Sequence, residues 1–410
     1  MATILAYTSP ARGNLYPMLA LLIELRRRGH RIVLKTLAAG VSTGCELGFE
    51  ASAVDRRIEA AVMTDWMAPN GRTALKMAFA VFGQRAAYEV EDVRAASDTV
   101  RPDVLMVDAN CWGAAAAAEA GSLPWVSFWA FTPFLRSRGA PPFGPGVRPW
   151  PGPLGRLRDA ALRPLVTTPF EKALLGPLKA VRQDAGATAV GNVDELLRRA
   201  PLMLVATGEP FEYPHPDWGD SVALIGPCDF DPPAPAPEWL ETIDRPIVLV
   251  TTSSDRQADD RLPIIAMAAL AEEPVHVVAT YPSGMPGDIA VPANATVREF
   301  VPHGLVLDRA VVAITHGGMG STQKALSRGV PVCVVPFGRD QFEVARRVVA
   351  SRSGTRLPAR KLTAERLKDQ VLQAMSMSDG AQRVAEGFRS TGGVARGADL
   401  IERRLIGVGS

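Results

Sequence analysis

Short apolar runs rich in Val, Ile and Leu recur along the chain, separated by longer segments whose apolar residues fall at helical spacing. An uninterrupted apolar run suits a strand covered on both faces, so the alternation predicts parallel sheets flanked by helices. In the first half the expected strands are "TILAYT", "RIVLKTL", "DVLMVD", "WVSFWAF" and "LMLVAT"; in the second they are "IVLVTTS", "VHVVAT", "VVAITH" and "VPVCVVP". Each half reads as a doubly wound α/β unit, and the two units are expected to face each other across a cleft. Ligands of such sheets bind beyond the carboxyl ends of the strands, which makes the cleft the place to look for chemistry.

Between the two series lies "IGPCDFDPPAPAPEW", whose four prolines within residues 232–237 sustain neither a helix nor a central strand. The expected organisation is a first domain over 1–230, a linker over 231–237, a second domain over 238–390, and a C-terminal helix over 391–410 that packs back on the first domain. Residues 136–164, "RSRGAPPFGPGVRPWPGPLGRLRDAALRP", are equally rich in Pro and Gly. They are expected to form a long surface excursion, either lining a substrate pocket or serving as a plain variable loop.

Composition narrows the picture by exclusion. At 410 residues, with 47% hydrophobic and 21% charged residues, the chain suits two ordinary globular domains. Lys and Arg number 45 against 43 Asp and Glu, so no charge excess draws it to nucleic acid. No basic segment precedes the first apolar run, and "ILAY" is too short for a signal peptide or a membrane span, so the expected location is cytoplasmic. Cys45, Cys111, Cys228 and Cys333 lack the paired spacing of a zinc site, disulfide framework or redox motif and are expected as small buried residues.

The passage "VVAITHGGMGSTQKALSRGVPVCVVPFGRDQ" carries the strongest chemistry. His316 closes a strand, Gly317, Gly318 and Gly320 allow close backbone approach, and Ser321 opens a helix whose free N–H groups attract anions. A pyrophosphate fits this turn; a plain glycine turn is the bland alternative. Asp340 and Gln341 stand at the next strand-to-helix turn, placed for sugar hydroxyls or, alternatively, as a helix N-cap pair. The run from His316 through "GVP" to "DQ" resembles the donor-binding signature of the inverting family 1 glycosyltransferases, which include plant UDP-sugar transferases and bacterial antibiotic glycosyltransferases. "GNLYPMLALLIELRRRGH" resembles that family's opening crossover and "FVPHGLVL" its base-binding turn, so the resemblance spans almost the whole chain.

The resemblance implies the two-domain GT-B fold, a nucleoside-diphosphate sugar as co-substrate, and no metal or other cofactor. It implies stacking of Phe300 on the nucleobase, backbone hydrogen bonds from Val301 and a nearby His303. It also implies that His316, Gly318, Gly320 and Ser321 hold the diphosphate, with Ser253 and Ser254 facing the same phosphates, and that Asp340 and Gln341 bind the hexose. Where the family has a Glu for both ribose hydroxyls this chain has Lys324, and an ammonium cannot accept those bonds. A deoxyribose donor loses less by the change, which favours a dTDP-sugar over a UDP-sugar. The acceptor is expected to be a hydrophobic small-molecule natural product bound near Gly13, Trp66, Trp112, Phe131 and Phe134, with Trp150 a further candidate.

Inverting transfer requires the acceptor oxygen to lose its proton, work suited to a His oriented by an Asp. The resemblance places that His in "ARGNLYP" and its Asp in "VLMVDANCWG". The second segment supplies Asp108, but the first supplies Asn14, which has no useful basicity. Three readings stay open: an engineered base knockout, a natural site where Asp108 or the acceptor's own acidity supplies base character, and a homologue that binds without catalysing. The expected function is inverting, metal-independent sugar transfer to a hydroxyl of a hydrophobic small molecule. The alternatives are a catalytically silent sugar-nucleotide-binding homologue and a GT-B sugar-nucleotide epimerase. "SPARGN" lacks the G-x-G-x-x-G spacing of a dinucleotide-binding fold.

Overall fold

The computed structural model describes residues 1–407, and every strand among them lies in one of two parallel sheets. The first holds β1 (Thr3–Tyr7), β2 (Arg31–Thr36), β3 (Glu50–Ala53), β4 (Val104–Asp108), β5 (Trp125–Trp129), β6 (Leu202–Val205) and β7 (Val222–Leu224), in the order β3-β2-β1-β4-β5-β6-β7. The second holds β8 (Ile247–Thr251), β9 (His276–Thr280), β10 (Ala295–Arg298), β11 (Ala310–Thr315), β12 (Val332–Val334) and β13 (Gly354–Arg356), ordered β10-β9-β8-β11-β12-β13. β4, β5 and β8 are buried at every residue, as their continuous apolar sequences require with helices on both faces. The order reverses between β1 and β4 and again between β8 and β11, so each sheet has a crevice at its switch point.

The Pro-rich excursion is shorter than its sequence suggests. Residues 136–152 are irregular, but a helix runs from Pro153 to Asp184 with Pro164, Pro169 and Pro177 inside it. Pro153 sits at the helix start, where a missing N–H costs nothing. The interior prolines are tolerated because the helix packs along helix Gly71–Val100: a Cβ on Gly83 would lie 2.3 Å from Cβ of Pro177. That tertiary contact offsets the lost backbone bonds.

The irregular residues are also tied to the second half. Glu343 Oε1 accepts from the backbone N–H of Gly144 at 2.9 Å and of Gly146 at 2.8 Å. Arg347, one helical turn on, pairs with Glu343 at 2.9 Å and with the fully buried Glu212 of the first half at 2.8 Å. At the other end, helix Gly393–Ile401 packs on helix Arg12–Arg27, fixed by Arg28 to Asp399 and Glu402, each at 2.6 Å. Cys111, Cys228 and Cys333 are buried, whereas Cys45 is exposed, contrary to expectation. Its neighbour Gly44 turns the short helix Val41–Glu46 toward the sheet, where a Cβ would lie 2.8 Å from that of Ala51, and Cys45 consequently faces outward. No helix among the described residues is long and apolar enough to cross a membrane.

Candidate active site

At the β1/β4 crevice the chain leaves β1 through Ser9-Pro10-Ala11 and enters helix Arg12–Arg27, which puts Asn14 in its first turn. Asn14 Nδ2 donates to Ser9 Oγ at 2.9 Å and to both oxygens of Asp108, at 3.2 and 3.1 Å. Ser9 adds its backbone N–H at 2.9 Å and its hydroxyl to Asp108 Oδ2, and Asn110 N donates to Oδ1 at 3.1 Å. Burial raises the pKa of Asp108, and these donors pull against the rise. Asp108 is saturated and stands behind the cavity wall, whereas Ser9 and Asn14 line the cavity itself. With its nitrogen spent, Asn14 offers only its amide oxygen, which accepts a hydrogen bond but takes no proton.

At the β8/β11 crevice the chain turns through Gly317, φ 96°, into helix Met319–Ser327. The helix has Gly318 at its N-cap and no capping side chain, so first-turn N–H groups remain for an anion. A Cβ on Gly318 would lie 2.5 Å from His316 Nε2, so this glycine makes room for the imidazole. Burial lowers the pKa of His316 although Asp259, 3.8 Å from Nδ1, opposes the shift; the ring is neutral at pH 7. Gly320 and Ser321 face the same space, as do Ser253 and Ser254 from the loop after β8. Ser253 is fixed by donating its N–H to Asp259 Oδ2 at 2.7 Å, while its hydroxyl accepts from Gln257 Nε2 at 2.8 Å.

Farther along this wall, Phe300 is 51% exposed and presents a free ring face, Val301 is buried, and His303 bonds to Thr280 Oγ1 at 3.0 Å. Burial and the nearby Lys324 push the His303 pKa down to about 4. Lys324 is not an isolated cation on this wall. Its ammonium donates to Phe230 O at 2.6 Å and Asp231 Oδ1 at 2.7 Å, and lies 3.4 Å from Asp229 Oδ1. Asp231 Oδ2 in turn accepts from Gly304 N at 2.9 Å, so the start of the linker is pinned to the second domain.

Both crevices open into one cavity of about 1470 Å³. A single ligand typically fills about 300–1,000 Å³, so there is room for two substrates. Its first-domain wall is aromatic: Phe134 lies 4.7 Å from Phe170, 5.9 Å from Phe143 and 6.2 Å from Trp112 between ring centroids. Gly13, Trp66 and Phe131 line it too. Trp150 does not; it is 53% exposed at the surface beside Arg158.

Asp340 lines the cavity, but Gln341 does not. Gln341 Oε1 accepts from Phe337 N at 2.7 Å and Gly338 N at 3.0 Å, and Nε2 donates to Gln257, so the side chain caps its own turn instead of facing the cavity. Ser9, Arg85, Asp65 and Arg339 also line the cavity, Ser9 and Arg339 from within the quoted turns and Arg85 and Asp65 unannounced by any motif. Arg339 adopts φ 52° and grips Asp65 through two bonds, 2.9 and 2.7 Å, across the cleft. Those two residues are far apart in sequence, and only the facing of the sheets brings them together.

Residues 265–393 match the family described as Erythromycin biosynthesis protein CIII-like, C-terminal domain. The chain is 31% identical to the 4'-demethylrebeccamycin synthase of Lentzea aerocolonigenes, over 98% of this chain and 99% of that protein. The crystal structure of the glycotransferase of kitacinnamycin superposes with a TM-score of 0.73 at 25% identity, covering 98% of this chain and 99% of that one. The glycosyltransferase VinC, crystallised in complex with dTDP, superposes with a TM-score of 0.68 at 21% identity, covering 98% of both chains.

Proposed function

The chain belongs to the GT-B glycosyltransferases of natural-product biosynthesis, and we propose that it moves the sugar of a dTDP-sugar onto an acidic hydroxyl of a flat, hydrophobic acceptor, with inversion. One observation carries this reading: the switch points of both sheets, one with an anion-binding helix start and one with an aromatic wall, open into the same cavity.

In the proposed reaction the diphosphate lies on the N-terminus of helix Met319–Ser327. His316, Gly318, Gly320 and Ser321 supply donors there, with Ser253 and Ser254 opposite, and the nucleobase stacks on Phe300 beside Val301 and His303. The helix dipole and the imidazole N–H stabilise the leaving charge, so the step needs no divalent cation. Asp340 holds the sugar. The acceptor oxygen attacks the anomeric carbon from the face opposite the diphosphate; the new C–O bond forms as the bond to phosphate breaks. Asn14 Oδ1 orients the attacking hydroxyl by accepting its hydrogen bond. Because neither Asn14 nor the saturated Asp108 can take that proton, the acceptor gives it up to solvent, which a phenol or enol does far more readily than an alcohol.

The nucleotide assignment rests on the ribose wall. Lys324 offers no acceptor, and both oxygens of Asp231 already accept a hydrogen bond, so the helix position that would bind two ribose hydroxyls favours a ribose bearing one. VinC holding dTDP supports the same choice. Thermal scanning against nucleotides tests it: dTDP should raise the melting temperature at least as much as UDP, since a ligand of the native state stabilises it. A response to UDP alone, or to neither, would overturn the donor reading.

A further inference from the structure

Arg85 stands on helix Gly71–Val100 with 7% of its surface exposed, among the aromatic residues of the first-domain wall. Its Nε and Nη2 both donate to Ala61 O, at 3.0 and 2.5 Å. A guanidinium carries five N–H groups. Nη1 has no hydrogen-bond partner among the described residues, and Arg85 lines the cavity. Two carboxylates favour the charged form of Arg85 through space without forming an ion pair with it, Asp255 from the cavity lining and Glu89 from one turn along the helix. Glu89 accepts from Gly113 N at 2.8 Å, and burial pushes its pKa up to about 8. No described carboxylate forms an ion pair with Arg85, whereas the neighbouring Arg339 is paired with Asp65.

A guanidinium with most of its surface buried loses much of its hydration, which is costly without an ion-pair partner, and burial accordingly lowers its pKa. The surrounding wall, Phe79, Phe82, Phe134, Phe170 and Trp112, suits a flat aromatic body. We infer that Arg85 is a specificity-determining residue that pairs with an anionic oxygen on the acceptor, making the preferred acceptor an aromatic hydroxyl compound that also carries a carboxylate or comparably acidic group. The inference rests on assigning the aromatic wall to the acceptor. It also suits Asn14, since a cation bound to the acceptor favours the ionised form of its oxygens.

Calorimetric titration with 2-naphthol and 6-hydroxy-2-naphthoate, which differ by one carboxylate, tests the inference. The unaltered protein should bind the naphthoate at least about tenfold more tightly, the scale of one charge-assisted bond. Arg85→Gln should erase that preference while leaving 2-naphthol and dTDP affinities unchanged. Arg85→Lys, which keeps the charge but loses the fork, should retain part of it. The comparison within the unaltered protein stands even if a variant fails to fold. Equal binding of the two probes, binding of neither, or a preference that survives Arg85→Gln would overturn the inference. A fall in dTDP affinity in Arg85→Gln would do the same by assigning the residue to the donor. Failure of dTDP to bind the unaltered protein would instead count against the transferase reading on which the inference rests.

Discussion

Replacing Asn14 with His probes the point where the proposed reaction brings acceptor and donor together. The amide nitrogen of Asn14 stands 3.1 Å from Asp108 Oδ2, the position from which Nδ1 of an imidazole would donate. The second ring nitrogen would then extend into the cavity that Asn14 lines. Asp108 would orient the ring and stabilise the imidazolium as it forms. General base catalysis contributes about 10² to 10⁴ in rate, equivalent to roughly 3 to 5 kcal/mol of barrier. Asn14→His should therefore raise kcat/KM for an aliphatic alcohol by about two to four orders of magnitude, and for an acidic phenol such as 4-nitrophenol far less. The base must be neutral to act, so the gained rate should climb with pH through the imidazole pKa and level off above it. Combining the change with Asp108→Asn should blunt that rise. If Asn14→His leaves alcohols and phenols equally unchanged, this turn is not where the acceptor proton is lost.

Replacing His316 with Ala removes a donor at the turn proposed to hold the diphosphate and should weaken dTDP binding at least about tenfold by calorimetry; unchanged affinity would remove the assignment. Lys324→Glu would add a carboxylate beside Asp229 and Asp231 and remove the cation they share. Calorimetric unfolding should show a loss of about 1 kcal/mol or more, and an undiminished melting temperature with a new UDP preference would contradict this account of the linker. Glu212 supplies a pH test: burial raises its pKa, but Arg347 and His215 outweigh burial and leave it at about 2. Because its unfolded value is about 4.3, its contribution is complete above that pH and is lost as pH falls toward 2. Glu212→Gln should flatten this part of the stability curve, measured by urea unfolding across the interval; an unaltered slope would show that the pair does not carry it.

The central strands were legible because they are buried on both faces and spell continuous apolar runs, as β4 and β8 do. β3, β7, β10 and β13 were not legible: each is three or four residues long, and sequences such as "EASA" and "ATVR" are only partly buried. Helix Pro153–Asp184 hid behind its prolines, because its stability comes from a neighbouring helix that local sequence does not reveal. The glycine-rich turn at His316 announced itself, since close backbone approach leaves a compositional mark. Arg85 left none, because its place depends on helix packing within the first domain, and neither did the Asp65–Arg339 pair, which forms only where the two sheets face each other. Gln341 was misplaced by its motif: the backbone N–H groups of Phe337 and Gly338 claim the side chain first.

The proton inventory around Asn14 makes acceptor acidity the central claim, and product analysis tests it most directly. Incubation with dTDP-glucose and either 4-nitrophenol or an aliphatic alcohol, followed by mass spectrometry and NMR of the anomeric centre, should yield a hexoside of the phenol with inverted configuration and little or none of the alcohol. Equal transfer to both acceptors, a retained anomeric configuration, or tight dTDP binding with no glycoside at all would contradict the account.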